Sequence, residues 1–220
     1  MVNRILEYAV VNGDIQMNPC NAVKLPKGLV KGKRSAALKS DEQIILETAD
    51  VWLFPFIALL TGMRRGEILA LQWKDIDFDR DRISVTKSIQ YEGDIPSVKE
   101  PKTKAGVRVV PLLPKLKEAL LTRRGKPSEY IISDDDGKTP LRNMRFTRLM
   151  KAYRKETGVT ASAHQLRHSF ATIAFEADVP LKSLQEILGH KQLSTTMDIY
   201  TEFREDSLRS AADLLSKKLG

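Results

Sequence analysis

The stretch His164-Gln165-Leu166-Arg167-His168, continued by Leu188-Gly189-His190 and then by Tyr200, decides how this chain reads. A helical pattern begins near His164. His164 and Arg167 are three apart and therefore share one helix face. Leu166, Phe170 and Ile173 fall where the buried partners of that helix belong. A second helix over about 181–188 ends at Gly189, a residue suited to a left-handed cap, and releases His190 into a turn. Tyr200 follows ten positions later, after Ser194-Thr195-Thr196, which suits the N-cap of a short helix. Two imidazoles, a guanidinium and a phenol thus fall within one short segment.

A free phenol titrates near pH 10 and is a poor nucleophile. It becomes useful beside cations and a base, attacking a group that is itself anionic. A phosphodiester fits, because its transition state spreads charge over non-bridging oxygens that guanidinium forks match. A second arginine for this task stands in Thr61-Gly62-Met63-Arg64-Arg65-Gly66-Glu67.

Thr-Gly-Met-Arg…Glu, then His-x-x-Arg, then Leu-Gly-His, then Tyr, in this order, resembles the tyrosine recombinase (phage integrase) family. The likeness runs from about Leu38 to Tyr200. Each motif alone is weak; four in order at plausible spacing are specific. The resemblance implies a site-specific DNA recombinase or integrase that cuts and rejoins DNA through a 3′-phosphotyrosyl intermediate. It implies Tyr200 as nucleophile and Arg64 and Arg167 as grips on the scissile phosphate. His164 would bond the phosphate or accept the Tyr200 proton, and His190 would donate to a non-bridging oxygen. His168 reads as structural. In the family a hairpin lysine protonates the leaving 5′ oxygen. Lys102 and Lys104 both lie in Pro101-Lys102-Thr103-Lys104-Ala105-Gly106. Lys102 fits the family's Lys-Thr-x-x-Gly pattern better, with Lys104 as the alternative. Glu67, three after Arg64, resembles the acidic residue that orients the basic groups.

The composition agrees with such a partner. The 220 residues carry a net charge of +8 and a pI near 9.5, which favours a polyanion such as double-stranded DNA. Residues 1–40 hold seven Lys and Arg against Glu7 and Asp14, a net +5. The single cysteine, Cys20, rules out an internal disulfide and suits a reducing cytoplasm. The longest apolar run, Val51 to Leu60, is too short to span a bilayer, which needs about 20 residues. It reads as a buried helix. No cofactor is expected. The three histidines are scattered, no carboxylate cluster accompanies them, and no Gly-rich phosphate loop appears. A covalent phosphotyrosine conserves bond energy, so the chemistry needs no ATP.

The pattern along the chain predicts an α+β fold, mostly helical, with a small three-stranded antiparallel sheet. Val2, Ile5, Leu6, Ala9 and Val10 have helical spacing, and Gly13 suits the end of that helix. By the resemblance, residues 1–37 are the last helix of a truncated core-binding domain plus a basic linker, and residues 38–220 are the catalytic domain. Ser40-Asp41-Glu42-Gln43 has the form of a capping box. Helices are expected at about 41–49, 52–61 and 65–72. Strand alternation begins at Arg82, with Ile83, Val85 and Ile89 apolar. Gly93-Asp94 turns the chain, and Ser97 to Lys102 with Val107 to Pro111 reads as a second hairpin. Helices are expected again at about 114–124, 143–157, 164–177, 181–188 and 205–218. In the last, Leu208, Ala211, Ala212, Leu215 and Leu219 form an apolar stripe, which the family uses for self-association on DNA.

Two other readings share the motifs. One is a relaxase like the type IB topoisomerases, although the Leu-Gly-His spacing is closer to the integrases. The other is a catalytically idle DNA-binding remnant of a mobile element.

Overall fold

The structure is a computed structural model and describes residues 2–23, 36–100, 107–134 and 137–189. Contacts divide the chain into two compact units, Met1–Arg34 and Ser35–Gly220.

In the first unit, helix α1 spans Val2–Val11, as the apolar spacing predicts, and none of its residues is buried. Gly13 lies just beyond it with φ +80°, its amide bonded to the Val10 carbonyl. Asn18 does the local work. Its side chain caps a short 3-10 helix, Pro19–Ala22, by accepting from the Cys20 amide, and its Nδ2 donates to Asn3 Oδ1 at 2.7 Å.

The second unit is built around helix α3, Leu53–Thr61, which follows α2, Lys39–Glu47. Phe54, Phe56, Ile57, Ala58 and Leu59 are all buried, so the apolar run is a core helix. Pro55 is tolerated because it sits in the first turn, where amides lack helical partners anyway. Helix α4, Arg65–Leu69, comes next, then a 3-10 turn at Trp73–Asp75. Strands follow: β1 Ile76–Asp77, β2 Arg82–Val85, β3 Ser88–Glu92, β4 Ile95–Lys99 and β5 Arg108–Pro111. Four helices complete the described residues: α5 Pro114–Leu121, α6 Asn143–Thr157, α7 Ala163–Glu176 and α8 Leu181–Leu188. α7 lies against α3, and α8 against β5 and α7. Among the described residues no helix is long and apolar enough to cross a membrane.

The mostly helical α+β class and the antiparallel strands agree with the sequence pattern, with two refinements. β5 does not pair with β4. It pairs with β2, which pairs with β1, in a three-stranded sheet; β3 and β4 form a separate two-stranded hairpin about Gly93-Asp94. The registers Val85↔Arg108 and Ser88↔Lys99 leave residues 86–87 on one side and 100–107 on the other. The capping box expected at Ser40–Gln43 does not form: α2 starts two residues earlier, at Lys39 with Leu38 as its N-cap, and Gln43 bonds Glu47 instead. A true box forms at Ser162 and Gln165. The Ser162 hydroxyl accepts from the Gln165 amide and Gln165 Oε1 accepts from the Ser162 amide. It starts α7 one residue before His164, and so sets His164 in the first turn.

Candidate functional site

The Thr61–Glu67 segment folds as a hinge between two helices. Gly62 ends α3 in the left-handed region, φ +63°, where a side chain would also collide with Phe170 and Leu188. The Thr61 hydroxyl donates back to the Ile57 carbonyl at 2.6 Å and accepts from the Met63 amide. Met63 is fully buried. That buried plug leaves Arg64 extended at the N-cap of α4, its side chain about half exposed.

Glu67 lies one turn on and is buried. One of its oxygens accepts from the Arg64 backbone amide at 2.8 Å and the other from Arg64 Nη1 at 2.9 Å. A second guanidinium, that of Arg108 on β5, bonds the same carboxylate through both terminal nitrogens, at 3.0 and 2.8 Å. Burial pushes the Glu67 carboxyl up, but the Arg108 bonds and charge, with those of Arg64, outweigh it and hold the pKa at about 2. Glu67 is thus a buried anion tied to two cations.

Arg167 projects from α7 and is buried to 7% exposure. Its Nη1 donates to the Gly62 carbonyl at 2.7 Å and its Nη2 to the Leu188 carbonyl at 2.6 Å. Burial, then the like charges of Arg64 and Arg108, push its pKa down to about 9, against the pull of Glu67. A cation held so far from its ordinary range is one that an incoming anion would relieve.

The three guanidiniums also meet at one helix end. Arg108 Nε donates to the Ile187 carbonyl at 2.6 Å, Arg167 to that of Leu188, and Arg64 Nη2 to that of Gly189 at 3.1 Å. The last carbonyls of a helix have no partners within it, and they form its negative pole. Gly189, at φ 66°, ends α8 as the sequence predicts. Three side chains from β5, α7 and the N-cap of α4 therefore converge on consecutive carbonyls. Leu184 and Leu188 pack with Phe170, Ala171 and Ala174 to hold α8 there.

His164 is exposed, with its ring 5.0 Å from that of His168 in an edge-on arrangement. Arg64, His164 and Arg167 line one cleft of about 760 Å³, together with Arg65, Lys151 and Arg154 over an apolar floor that includes Phe54, Phe146 and Met150. Arg65 sits 5.3 Å from both the Tyr91 and Phe146 rings, which tie the β3–β4 hairpin and α6 to α4. Lys102, Lys104, His190 and Tyr200 lie outside the described residues, as does the expected helix at 205–218. Ile173, expected to be buried, is 42% exposed; Ala171 and Ala174 take the inner face of α7 instead. Among the described residues no group of three or more His, Cys, Asp or Glu could hold a metal ion.

The sequence reading passed over Arg108, Lys151 and Arg154. For Arg108 the only signal was a charged residue set among Val107, Val109 and Val110 in a strand pattern. Its partner Glu67 is 41 positions away, beyond the reach of any local motif.

Arg64 and Arg108 thus share one buried carboxylate, Arg167 joins them at the end of α8, and Arg64 and Arg167 open on a basic cleft in a mainly helical domain. The family model described as "Phage integrase family" matches residues 44–206, and the chain belongs to that family. It is 32% identical to a tyrosine recombinase XerC-like protein of Caldanaerobacter subterraneus subsp. tengcongensis, over 95% of this chain and 62% of that one. It is 32% identical to the ICEBs1 integrase of Bacillus subtilis, over 99% of this chain and 64% of that one. The chain thus spans a little under two thirds of the length of these curated relatives. Among solved structures, the Tn1549 transposon integrase in complex with transposon right end DNA is 26% identical, with a TM-score of 0.68, covering 95% of this chain and 75% of that one. A lambda integrase dimer bound to a COC′ core site, 21% identical with a TM-score of 0.61 over 90% and 69%, adds likeness of fold.

Proposed function

We propose that this chain cuts and rejoins double-stranded DNA through a 3′-phosphotyrosyl intermediate, as a site-specific recombinase or integrase. Residues 38–220 are its catalytic domain, and residues 1–37 a core-binding helix with a basic linker. Tyr200 attacks the scissile phosphorus: an O–P bond forms to the phenol, and the bond from phosphorus to the 5′ oxygen breaks. His164 takes the phenolic proton, and Lys102 gives a proton to the departing 5′ oxygen. Attack of a phenolate on a monoanionic diester creates a dianion. Arg64 and Arg167, with His190, stabilise that added charge. Glu67 holds Arg64 in place. The C-terminal stripe docks on a neighbouring protomer bound to the same DNA.

The observation that carries this reading is the meeting of Arg64 and Arg167 in one cleft with His164, although they are 103 positions apart in a chain of this family. The test is a nicked suicide DNA substrate, which traps the covalent adduct. The chain forms an adduct, Tyr200→Phe binds DNA but forms none, and Arg167→Ala forms it about 100- to 1,000-fold more slowly. DNA binding with no adduct from the parental chain would overturn the reading and favour an idle DNA-binding protein.

A further inference from the structure

We infer that Arg108 is a positioning residue of this site, fixing Glu67, and through it Arg64, against the end of α8. For its rate measurement alone the inference rests on the strand-transfer reading above.

The Arg108 side chain is 6% exposed and places three nitrogens on two partners, Glu67 and the Ile187 carbonyl. Glu67 receives four donors: two from Arg108, and the amide and Nη1 of Arg64. Four is the number of lone-pair sites on a carboxylate. With two sites taken by Arg108 and two by Arg64, the carboxylate is held in one orientation, and Arg64 keeps the pose that faces the cleft. The charges point the same way. Arg108 offsets the carboxylate, so Arg64 remains a net cation toward a phosphate. Without Arg108, Glu67 would cancel Arg64.

Arg108 is also a junction in the backbone. Its main chain pairs with Val85, and β5 begins at this residue. One side chain thus links the start of β5 to Glu67, through it to Arg64, and to the last turn of α8. Ordinary burial of an arginine in a strand would require one ion pair. It would not require a two-pronged bond to a carboxylate already shared with Arg64, plus an Nε bond to a helix end.

The test uses the full chain with Arg108→Gln, Arg108→Lys and the double variant Arg108→Gln/Glu67→Gln. Three quantities are measured: DNA affinity, single-turnover adduct formation against pH, and the Glu67 carboxyl titration by carbon-13 NMR without DNA. The charged groups facing Glu67 are Arg64, Arg108 and Arg167, and none of the other two replaces the fork of Arg108. In Arg108→Gln, burial is then less opposed and the Glu67 titration moves up from about 2. Adduct formation falls about 10- to 100-fold, the scale of a misplaced reacting group, and its pH profile gains an acidic limb. DNA affinity stays within about threefold. The double variant loses the acidic limb. Arg108→Lys keeps the charge without the fork, and stays at least about tenfold slow. A folded Arg108→Gln chain with parental rate, pH profile and Glu67 titration would overturn the inference. If that variant does not fold, a folded Arg108→Lys chain with parental rate would overturn it equally. A parental chain that forms no adduct would defeat the strand-transfer reading, while the Glu67 titration would still decide the role of Arg108.

Discussion

Glu67 concentrates the physics of the site. Its ordinary pKa of 4.5 falls to about 2 in the folded chain. A carboxylate depressed in this way stabilises the fold above its unfolded pKa, and the contribution disappears as pH falls through the folded value. At about 1.4 kcal/mol per pH unit, the pair of values corresponds to roughly 3 kcal/mol. The free energy of unfolding should therefore decline between about pH 4.5 and 2 more steeply in the parental chain than in Glu67→Gln, as denaturant titrations at successive pH values would measure. Parallel curves would mean that Glu67 carries no such linkage. Arg64, Glu67 and Arg167 were legible in the sequence as candidates because each sits in a short motif that resembles the family's. Arg108 was not, since its meaning lies in a carboxylate on another element.

Elements explain why those side chains meet. α3 and α8 were legible because an all-apolar run and a glycine stop are local signals. The start of α2 was misread because Ser40 and Gln43 have the right types, yet the chain turns helical two residues after the half-buried Ala37, whose amide bonds Ser169. The strand pairing was only partly legible: alternation reveals strands, but whether β5 joins β4 or β2 depends on long-range register. Gly62 is the sharpest constraint on the element scale, because it combines a left-handed backbone with contact to α7 and α8. An added Cβ would lie 2.4 Å from Phe170 Cδ1 and 2.9 Å from Leu188 Cδ2. Gly62→Ala should cost about 2 kcal/mol or more, from backbone strain and overpacking together. Chemical denaturation measures it, and a loss below about 0.5 kcal/mol would contradict this packing of α3 on α7 and α8.

On the proposed function, the net charge of +8 and a cleft of cations predict DNA binding dominated by phosphates. Lys151 and Arg154 line that cleft beside Arg64 and Arg167. Replacing either with alanine should weaken DNA binding evenly across sequences and reduce the salt slope of log affinity by about 1. An unchanged slope would route the DNA elsewhere. Deleting residues 204–220 should lower the number of protomers on a two-site DNA while sparing half-site binding, as native mass spectrometry would count. Unchanged stoichiometry would assign the stripe to its own domain. On the proposed mechanism, Tyr200 becomes joined to DNA under a clamp formed by Arg64 and Arg167. Its most direct test is peptide mapping, by tandem mass spectrometry, of the adduct trapped on a suicide substrate. That mechanism requires a nucleotide attached through its 3′ phosphate to the Tyr200 phenolic oxygen. A nucleotide on any other residue, or one joined through a 5′ phosphate, would contradict it.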